Sequence, residues 1–139
     1  MDPGEYRKIL HEISEFGDID TSTVSSTRRS IVKLNEKREE LLRIKKSIKR
    51  DIRGVERQYL ESMAEVMDEV NSMRDSSKLR RLLSGSPAAA QARAIRQIRN
   101  NRDALIESYR EILDYTDELL EYTEDLMVEL YESIRSFLG

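Results

Sequence analysis

The chain has 139 residues and a formal net charge of −3, with 37% charged residues, 38% hydrophobic residues, 5 Gly and 2 Pro. This length suits one domain or one elongated module, and the composition is typical of long solvated helices rather than of strands or disordered segments. The absence of Cys excludes disulfides and Cys-ligated zinc, and the presence of a single His excludes most forms of nucleophile–His catalysis.

The start of the chain predicts a short first helix over about residues 3–16. Asp2 is suited to the N-cap, Pro3 to the first helical position and Glu5 to the third, as in a capping box. Apolar residues then follow at the spacing of one helical face: Tyr6, Ile9, Leu10, Ile13 and Phe16. Gly17 supplies a stop signal. A helix of about four turns is unstable alone in water, so we expect it to dock on another element.

A second, much longer helix is predicted over about residues 21–73. Asp20, Thr21 and Ser22 offer N-caps, no Pro interrupts the segment, and Gly54 is its only Gly. Apolar residues recur at steps of three and four through its second half: Leu41, Ile44, Ile48, Ile52, Val55, Tyr59, Met63, Val66, Val70 and Met73. Residues 74–87 break this pattern and predict a hairpin tip that presents Leu79, Leu82 and Leu83.

The third predicted helix covers about residues 88–138 and carries three apolar lines. Two of them run along most of its length and suit a two-helix seam, one through Ile95 and Tyr109 and the other through Ile98 and Ile112. The third line contains Ile106, Leu113, Leu120, Met127 and Ile134. Because this line starts only at Ile106, the C-terminal half needs a second neighbour, for which the first helix is the nearest candidate. A second copy of the protein is the rival use of this face, and the two uses are compatible.

The distribution of charge supports an antiparallel pairing of the two long helices. Residues 27–58 are mainly basic and residues 103–139 mainly acidic, whereas residues 59–73 carry acids only and residues 74–102 carry mainly bases. Opposite charges face each other if paired residue numbers add to about 161. The same register places Ile31 opposite Leu130, and Tyr59 opposite Arg102 in reach of a cation–π contact. Pairing between two chains by domain swapping satisfies the pattern equally well.

Together these signals predict an all-α fold: a long antiparallel two-helix coiled-coil hairpin with the short N-terminal helix packed at its open end. We expect a three-helix bundle there, and a single elongated helical module over residues 1–139. No apolar run approaches the roughly 18 residues of a membrane span, and the first residues lack a signal-peptide pattern. We therefore expect a cytoplasmic protein with no membrane span.

The sequence contains little that suggests catalysis. His11 and Glu15 lie one helical turn apart, but no second Glu-x-x-His completes a two-metal bundle site, so a solvated histidine is the simpler interpretation. The chain has no phosphate-binding loop, nucleophile elbow or calcium loop. We expect no enzymatic activity, no catalytic residues, no metal and no cofactor.

The leading functional interpretation is a non-catalytic helical interaction module, such as a scaffold, adaptor or chaperone-like subunit. It would present coiled-coil faces and the hairpin tip to a protein partner, which includes a second copy in a homodimer. The candidate partner-binding residues at the tip are Leu79, Arg80, Leu82 and Leu83.

The alternative is a nucleic-acid-associated protein that binds phosphates through its basic tip. The candidate phosphate-binding residues are Lys78, Arg80, Arg81, Arg93 and Arg96. Residues 74–102 contain no aromatic side chain, which argues against the stacking of single-stranded bases. Nucleic-acid binding is therefore possible but not favoured by the sequence.

Overall fold

The computed structural model describes residues 1–75 and 87–139, with side chains described except at positions 70, 73–75, 87 and 88. Its helices are α1 (Pro3–Ile13), α2 (Val24–Asp75) and α3 (Pro87–Leu138). The chain divides into unit 1, formed by Met1–Arg50 and Tyr109–Gly139, and unit 2, formed by Asp51–Ser108. The predicted all-α helical hairpin with a short first helix is confirmed. Within the described part of the chain, no helical segment has the length and apolar character needed to cross a membrane.

Helix α1 begins as predicted but ends earlier. The Asp2 side chain accepts a hydrogen bond from the Glu5 backbone N–H at 2.9 Å, and the Glu5 side chain accepts one from the Asp2 N–H at 3.1 Å. These reciprocal bonds form the capping box. The helix stops at Ile13 rather than near residue 16. Gly17 adopts a φ of 63°, a conformation that favours glycine, in the connection that follows.

A lysine of α2 accounts for the early end of α1. The Nζ atom of Lys37 donates hydrogen bonds to the backbone carbonyls of Ile13, at 3.0 Å, and of Glu15, at 2.8 Å. The same ammonium group lies 4.4 Å from the centre of the Phe16 ring. Burial lowers the pKa of the Lys37 ammonium. Because a side chain satisfies these carbonyl groups, the chain leaves the helix there without losing hydrogen bonds.

The N-cap of α2 is Thr23, so the predicted caps Asp20, Thr21 and Ser22 were wrong. The Thr23 hydroxyl accepts from the Ser26 N–H, and the Ser26 hydroxyl accepts from the Thr23 N–H, both at 3.0 Å. Asp20 forms a separate turn in which its carboxylate accepts from the hydroxyl and the N–H of Ser22. These bonds lower the pKa of Asp20.

In unit 1, α1 packs on α2 and α3 as the third helix of a bundle. The Tyr6 and Tyr109 rings meet edge to face with their centres 6.3 Å apart. The Tyr6 hydroxyl lies 2.6 Å from the hydroxyl of Ser47. The buried apolar side chains of the unit come from all three helices: Tyr6, Leu10, Ile13, Ile31, Leu34, Leu41, Ile48, Tyr109, Ile112, Leu119, Leu120 and Leu130. The predicted three-helix bundle is therefore present in this unit.

The connection after α1 continues this cover. Phe16 packs edge to face on Tyr122, with ring centres 5.0 Å apart. Phe16 and Ile19 both pack against the buried cluster of Ile31, Leu34 and Leu130. Residues of an irregular segment therefore complete the hydrophobic core that α1 begins.

Helix α1 also contacts α3 near the third apolar line. Two of these contacts are the Tyr6–Tyr109 ring pair and the Arg7–Glu111 ion pair at 4.0 Å, and Tyr109 lies at helical spacing from Ile106 and Leu113 of that line. In that line Ile106 and Leu120 are buried, and Leu113, Met127 and Ile134 are half-buried. The third line therefore offers little uncovered apolar surface for a partner.

Contacts between α2 and α3 agree with the predicted register. In unit 1, Arg38 pairs with Glu124 at 3.3 Å and Lys45 with Asp117 at 2.6 Å. Ile31 and Leu130 share one core cluster, as predicted. Ion pairs as exposed as these contribute little free energy, so their main effect is on alignment and orientation.

We predict that Leu10→Ala destabilises the protein by about 2–4 kcal/mol, because it leaves a cavity where a fully buried side chain packed. The free energy of unfolding would be measured by urea denaturation. Val32→Ala is the matched control, since Val32 is 57% exposed and its truncation should change stability by less than about 0.5 kcal/mol. Equal effects of the two substitutions would contradict the docked position of α1.

Candidate partner-binding groove

The predicted tip residues fall in the range 76–86, outside the described residues. These are Lys78, Leu79, Arg80, Arg81, Leu82 and Leu83. The other two candidate phosphate-binding residues, Arg93 and Arg96, lie on the exposed surface of α3. Within the described part of the chain, neither takes part in an ion pair.

The described part of unit 2 consists of two packed helical segments, residues 51–75 of α2 and residues 87–108 of α3. Among its described side chains, only Ile106, at 4% exposure, is buried. The apolar seam residues Val55, Tyr59 and Ile98 are half-buried, and Leu105 remains 38% exposed. No described segment of this unit forms a third wall over the seam, and apolar surface therefore remains in contact with solvent.

The open side of this seam forms a groove of about 240 Å³. Its apolar lining comes from the half-buried seam, and its rims are polar. The lining residues are Val55, Gln58, Tyr59, Ser62, Ile98, Asn101, Arg102 and Leu105. The sequence analysis did not identify this groove. The groove could have been predicted from the apolar line of α2 between residues 52 and 66, because the sequence offers only α3 to cover this part of the line.

Arg102 fixes one wall of the groove by pairing with Glu56 through two hydrogen bonds. Its Nη2 donates to Glu56 Oε1 at 2.7 Å, and its Nε donates to Glu56 Oε2 at 3.0 Å. Glu56 raises the pKa of the Arg102 guanidinium. The guanidinium carbon lies 4.9 Å from the centre of the Tyr59 ring, which confirms the predicted cation–π contact. Arg102 thereby positions both a charge and an aromatic ring at the groove.

Most other charged side chains of unit 2 point away from the seam. The acids of its α2 segment that lie beyond Tyr59 are exposed, and so are the Arg residues of α3 that precede Arg102: Glu61, Glu65, Asp68, Glu69, Arg93, Arg96 and Arg99. None of them takes part in an ion pair with another described residue. These acidic residues of α2 and basic residues of α3 lie at the same level along the hairpin, but their side chains do not contact one another.

Unit 1 has two further surface grooves, both at the edges of α1 and the connection that follows it. One, of about 660 Å³, lies between α1 and α3 and includes Arg7, His11 and Tyr115. The other, of about 310 Å³, lies between the connection and α2 and includes Phe16, Arg29 and Lys33. His11 is exposed. Within the described residues, no group of three or more His, Cys, Asp or Glu side chains is arranged to hold a metal ion.

A comparison with protein-family models, curated proteins and solved structures found no match to this chain.

We predict that Arg102→Lys lowers the melting temperature by a few degrees, because lysine cannot form the two-pronged contact with Glu56 or stack on Tyr59. The measurement is thermal unfolding followed by circular dichroism. Arg99→Lys is the control, since Arg99 is exposed and has no ion pair among the described residues. A melting temperature unchanged by Arg102→Lys would show that the contact does not stabilise unit 2.

Proposed function

We propose that this protein is a non-catalytic helical interaction module whose groove in unit 2 receives a helical element of a protein partner. The half-open seam is the observation that supports it most directly, since Leu105 and the Tyr59 ring line a concave surface in contact with solvent. Covering apolar surface releases roughly 25 cal/mol per Å², so a partner that fills the groove gains free energy.

The chemistry of the groove suits recognition by a helix. On each helix the lining residues occupy positions i, i+3, i+4 and i+7, so two turns of each antiparallel segment face an open groove rather than a closed pocket. Amphipathic helices bind such troughs with one apolar stripe. Tyr and Arg are also enriched among the residues that dominate binding energy at protein interfaces, and Tyr59 and Arg102 are held in place here by their mutual contact.

The tip residues Leu79, Arg80, Leu82 and Leu83 remain part of this proposal as a second contact region. The support for them is their sequence pattern alone, in which leucines and bases are interspersed at a predicted turn. We also propose that the protein acts in the cytoplasm, an expectation that comes from its sequence alone.

We predict that a photo-crosslinking amino acid in place of Gln58 or Asn101 captures a protein in the native cells. Both residues are exposed and lie on the groove rim, so the probe would face the bound partner. The matched controls are Arg57 and Asn100, which are exposed neighbours on the same helices but do not line the groove. Adducts would be identified by mass spectrometry. Absence of adducts from the rim positions, or equal capture at the controls, would refute the proposal.

The alternative function, phosphate binding by the basic tip, predicts nucleic-acid affinity that falls steeply with salt. The test is a titration with labelled RNA and duplex DNA at low and near-physiological salt. Changing Lys78, Arg80 and Arg81 together to Ser should abolish that binding, and changing Arg93 and Arg96 to Ser should weaken it. Absence of binding at low salt would remove this alternative.

A further inference from the structure

We propose that the outer face of α2 in unit 1 binds the outer face of α3 in a second copy of the protein, so that copies join head to tail. This surface is different from the groove of unit 2, and the inference does not rest on the proposed function. Two series of exposed charges, which match each other in sign and in spacing, support it.

The outer face of α2 carries a series of exposed bases, which we call the basic face. Arg43, Lys46 and Arg50 are separated by steps of three and four, so they share one side of the helix. Successive helical residues are rotated by about 100°, which places all three roughly 140–180° around α2 from the fully buried Leu41 and Ile48. None of the three bases takes part in an ion pair within the described part of the chain.

The outer face of α3 carries a matching series of acids, which we call the acidic face. Asp114, Glu118 and Glu121 are exposed and are separated by steps of four and three. They lie roughly 140–180° around α3 from the fully buried Thr116 and Thr123. None of them forms an ion pair with another described residue.

Both faces place like charges one helical turn apart. Lys46 and Arg50 are four residues apart in α2, and so are Asp114 and Glu118 in α3. Like charges at this spacing repel each other and weaken a helix, so opposite charge from another molecule would be stabilising. The two faces cannot neutralise each other inside one copy, because each points away from the core that α2 and α3 share.

The two faces match residue by residue when they meet in antiparallel orientation. The pairs then formed, each with residue numbers that add to 164, are Arg43–Glu121, Lys46–Glu118 and Arg50–Asp114. Inside one copy, the contacts between α2 and α3 in unit 1 have residue numbers that add to 161 or 162. A second copy would therefore be shifted along the helix axis by two or three residues, which is about 3–4.5 Å.

Each series continues along its own helix at the same spacing. In α2 the next bases are Arg53 and Arg57, at further steps of three and four. In α3 the preceding acids are Glu111 and Glu107, at the same steps, and their numbers add to 164 with those of the two bases. Glu111 also contacts Arg7, at 4.0 Å. Bases and acids thus occur in mirror order over about two heptads, which a simple division into a basic and an acidic helix does not require.

Two charges depart from this pattern. Arg110 lies beside the acidic face, but the position opposite it in this pairing is Gly54, which carries no charge. Glu39 lies one turn before the basic face and would meet Asp125, which lies one turn after the acidic face. Like charges therefore limit the contact at this end.

Symmetry distinguishes this assembly from a closed dimer. The outer faces of α2 and α3 point in different directions, so a two-fold axis brings together two basic faces or two acidic faces, where like charges meet. Pairing of unlike faces is head to tail and leaves one free face of each sign at the ends. Because the copies are also shifted along the axis, the series does not close, and self-association should continue beyond a dimer as concentration rises.

The test is sedimentation equilibrium of the full chain at low ionic strength, where surface charges are least screened. We expect the weight-average mass to rise with concentration past that of a dimer, and to fall to that of a monomer in about 0.5 M salt.

Charge reversals test the two faces separately and together. Lys46→Glu with Arg50→Glu makes both faces acidic, and Asp114→Lys with Glu118→Lys makes both faces basic. Each double variant alone should raise the dissociation constant about tenfold or more, because attractive pairs become like-charge contacts. An equimolar mixture of the two variants should associate again, since every contact can then form between unlike faces.

Single substitutions test the pairing and provide matched controls. Glu39→Lys should lower the dissociation constant about threefold, because the like-charge contact with Asp125 becomes attractive. Glu40→Lys makes the same change at an exposed neighbour rotated by about 100°, and it should leave the constant within about twofold. Lys33→Glu is the control for the bases, since Lys33 is exposed but borders the connection after α1. Circular dichroism of each variant would confirm that the helices are retained.

The outcomes decide the inference independently of the groove. Salt-sensitive growth past a dimer, its loss in both double variants and its recovery in their mixture support it. A protein that stays monomeric at submillimolar concentration and low salt, a closed dimer, or a mixture that does not associate overturns it. Duplex DNA binding that depends on Lys46 and Arg50, without self-association, also overturns it and assigns the basic face to nucleic acid. The crosslinks from Gln58 and Asn101 test the proposed function separately.

Discussion

Two packed helices cannot by themselves enclose the side chains between them, and the rest of the structure depends on this constraint. In unit 1, α1 and the connection after it supply the third wall, and Leu41 and Ile48 are fully buried. In unit 2, Val55 and Tyr59 continue the same apolar line of α2 but are only half-buried. Residue types change little along this apolar line, so the difference in burial comes from the elements that pack against it.

The third wall of unit 1 depends on polar contacts as much as on apolar ones. An isolated helix of 11 residues is marginal in water, so α1 needs the burial of its apolar face to persist. The hydroxyl pair of Tyr6 and Ser47 and the bonds from Lys37 fix where that face docks. Buried threonines add no such specificity, since Thr116 and Thr123 donate to carbonyl groups of their own helix.

Periodicity and charge blocks were sufficient to predict the hairpin, the register and the Tyr59–Arg102 contact, because each depends on positions along straight helices. The end of α1 was not predictable from its local sequence, since it depends on Lys37, far along the chain. The N-cap of α2 was ambiguous because four successive residues, 20–23, all have capping side chains. The distribution of charge also predicted more ion pairs in unit 2 than its described residues form. Two charged residues at the same level along the hairpin form a pair only if their side chains also point toward each other.

The uneven cover of α2 has a consequence for how its backbone exchanges hydrogen with solvent. One continuous helix of 52 residues passes from a fully enclosed seam to a half-open one. Opening a helical turn around Ile48 exposes a fully buried core, whereas opening a turn around Val55 exposes side chains that solvent already reaches in part. Amide protons near Ile48 should therefore exchange through global unfolding, and those near Val55 through local fluctuations of lower free energy. A single helix would thus show two exchange regimes without any break in its hydrogen-bond pattern.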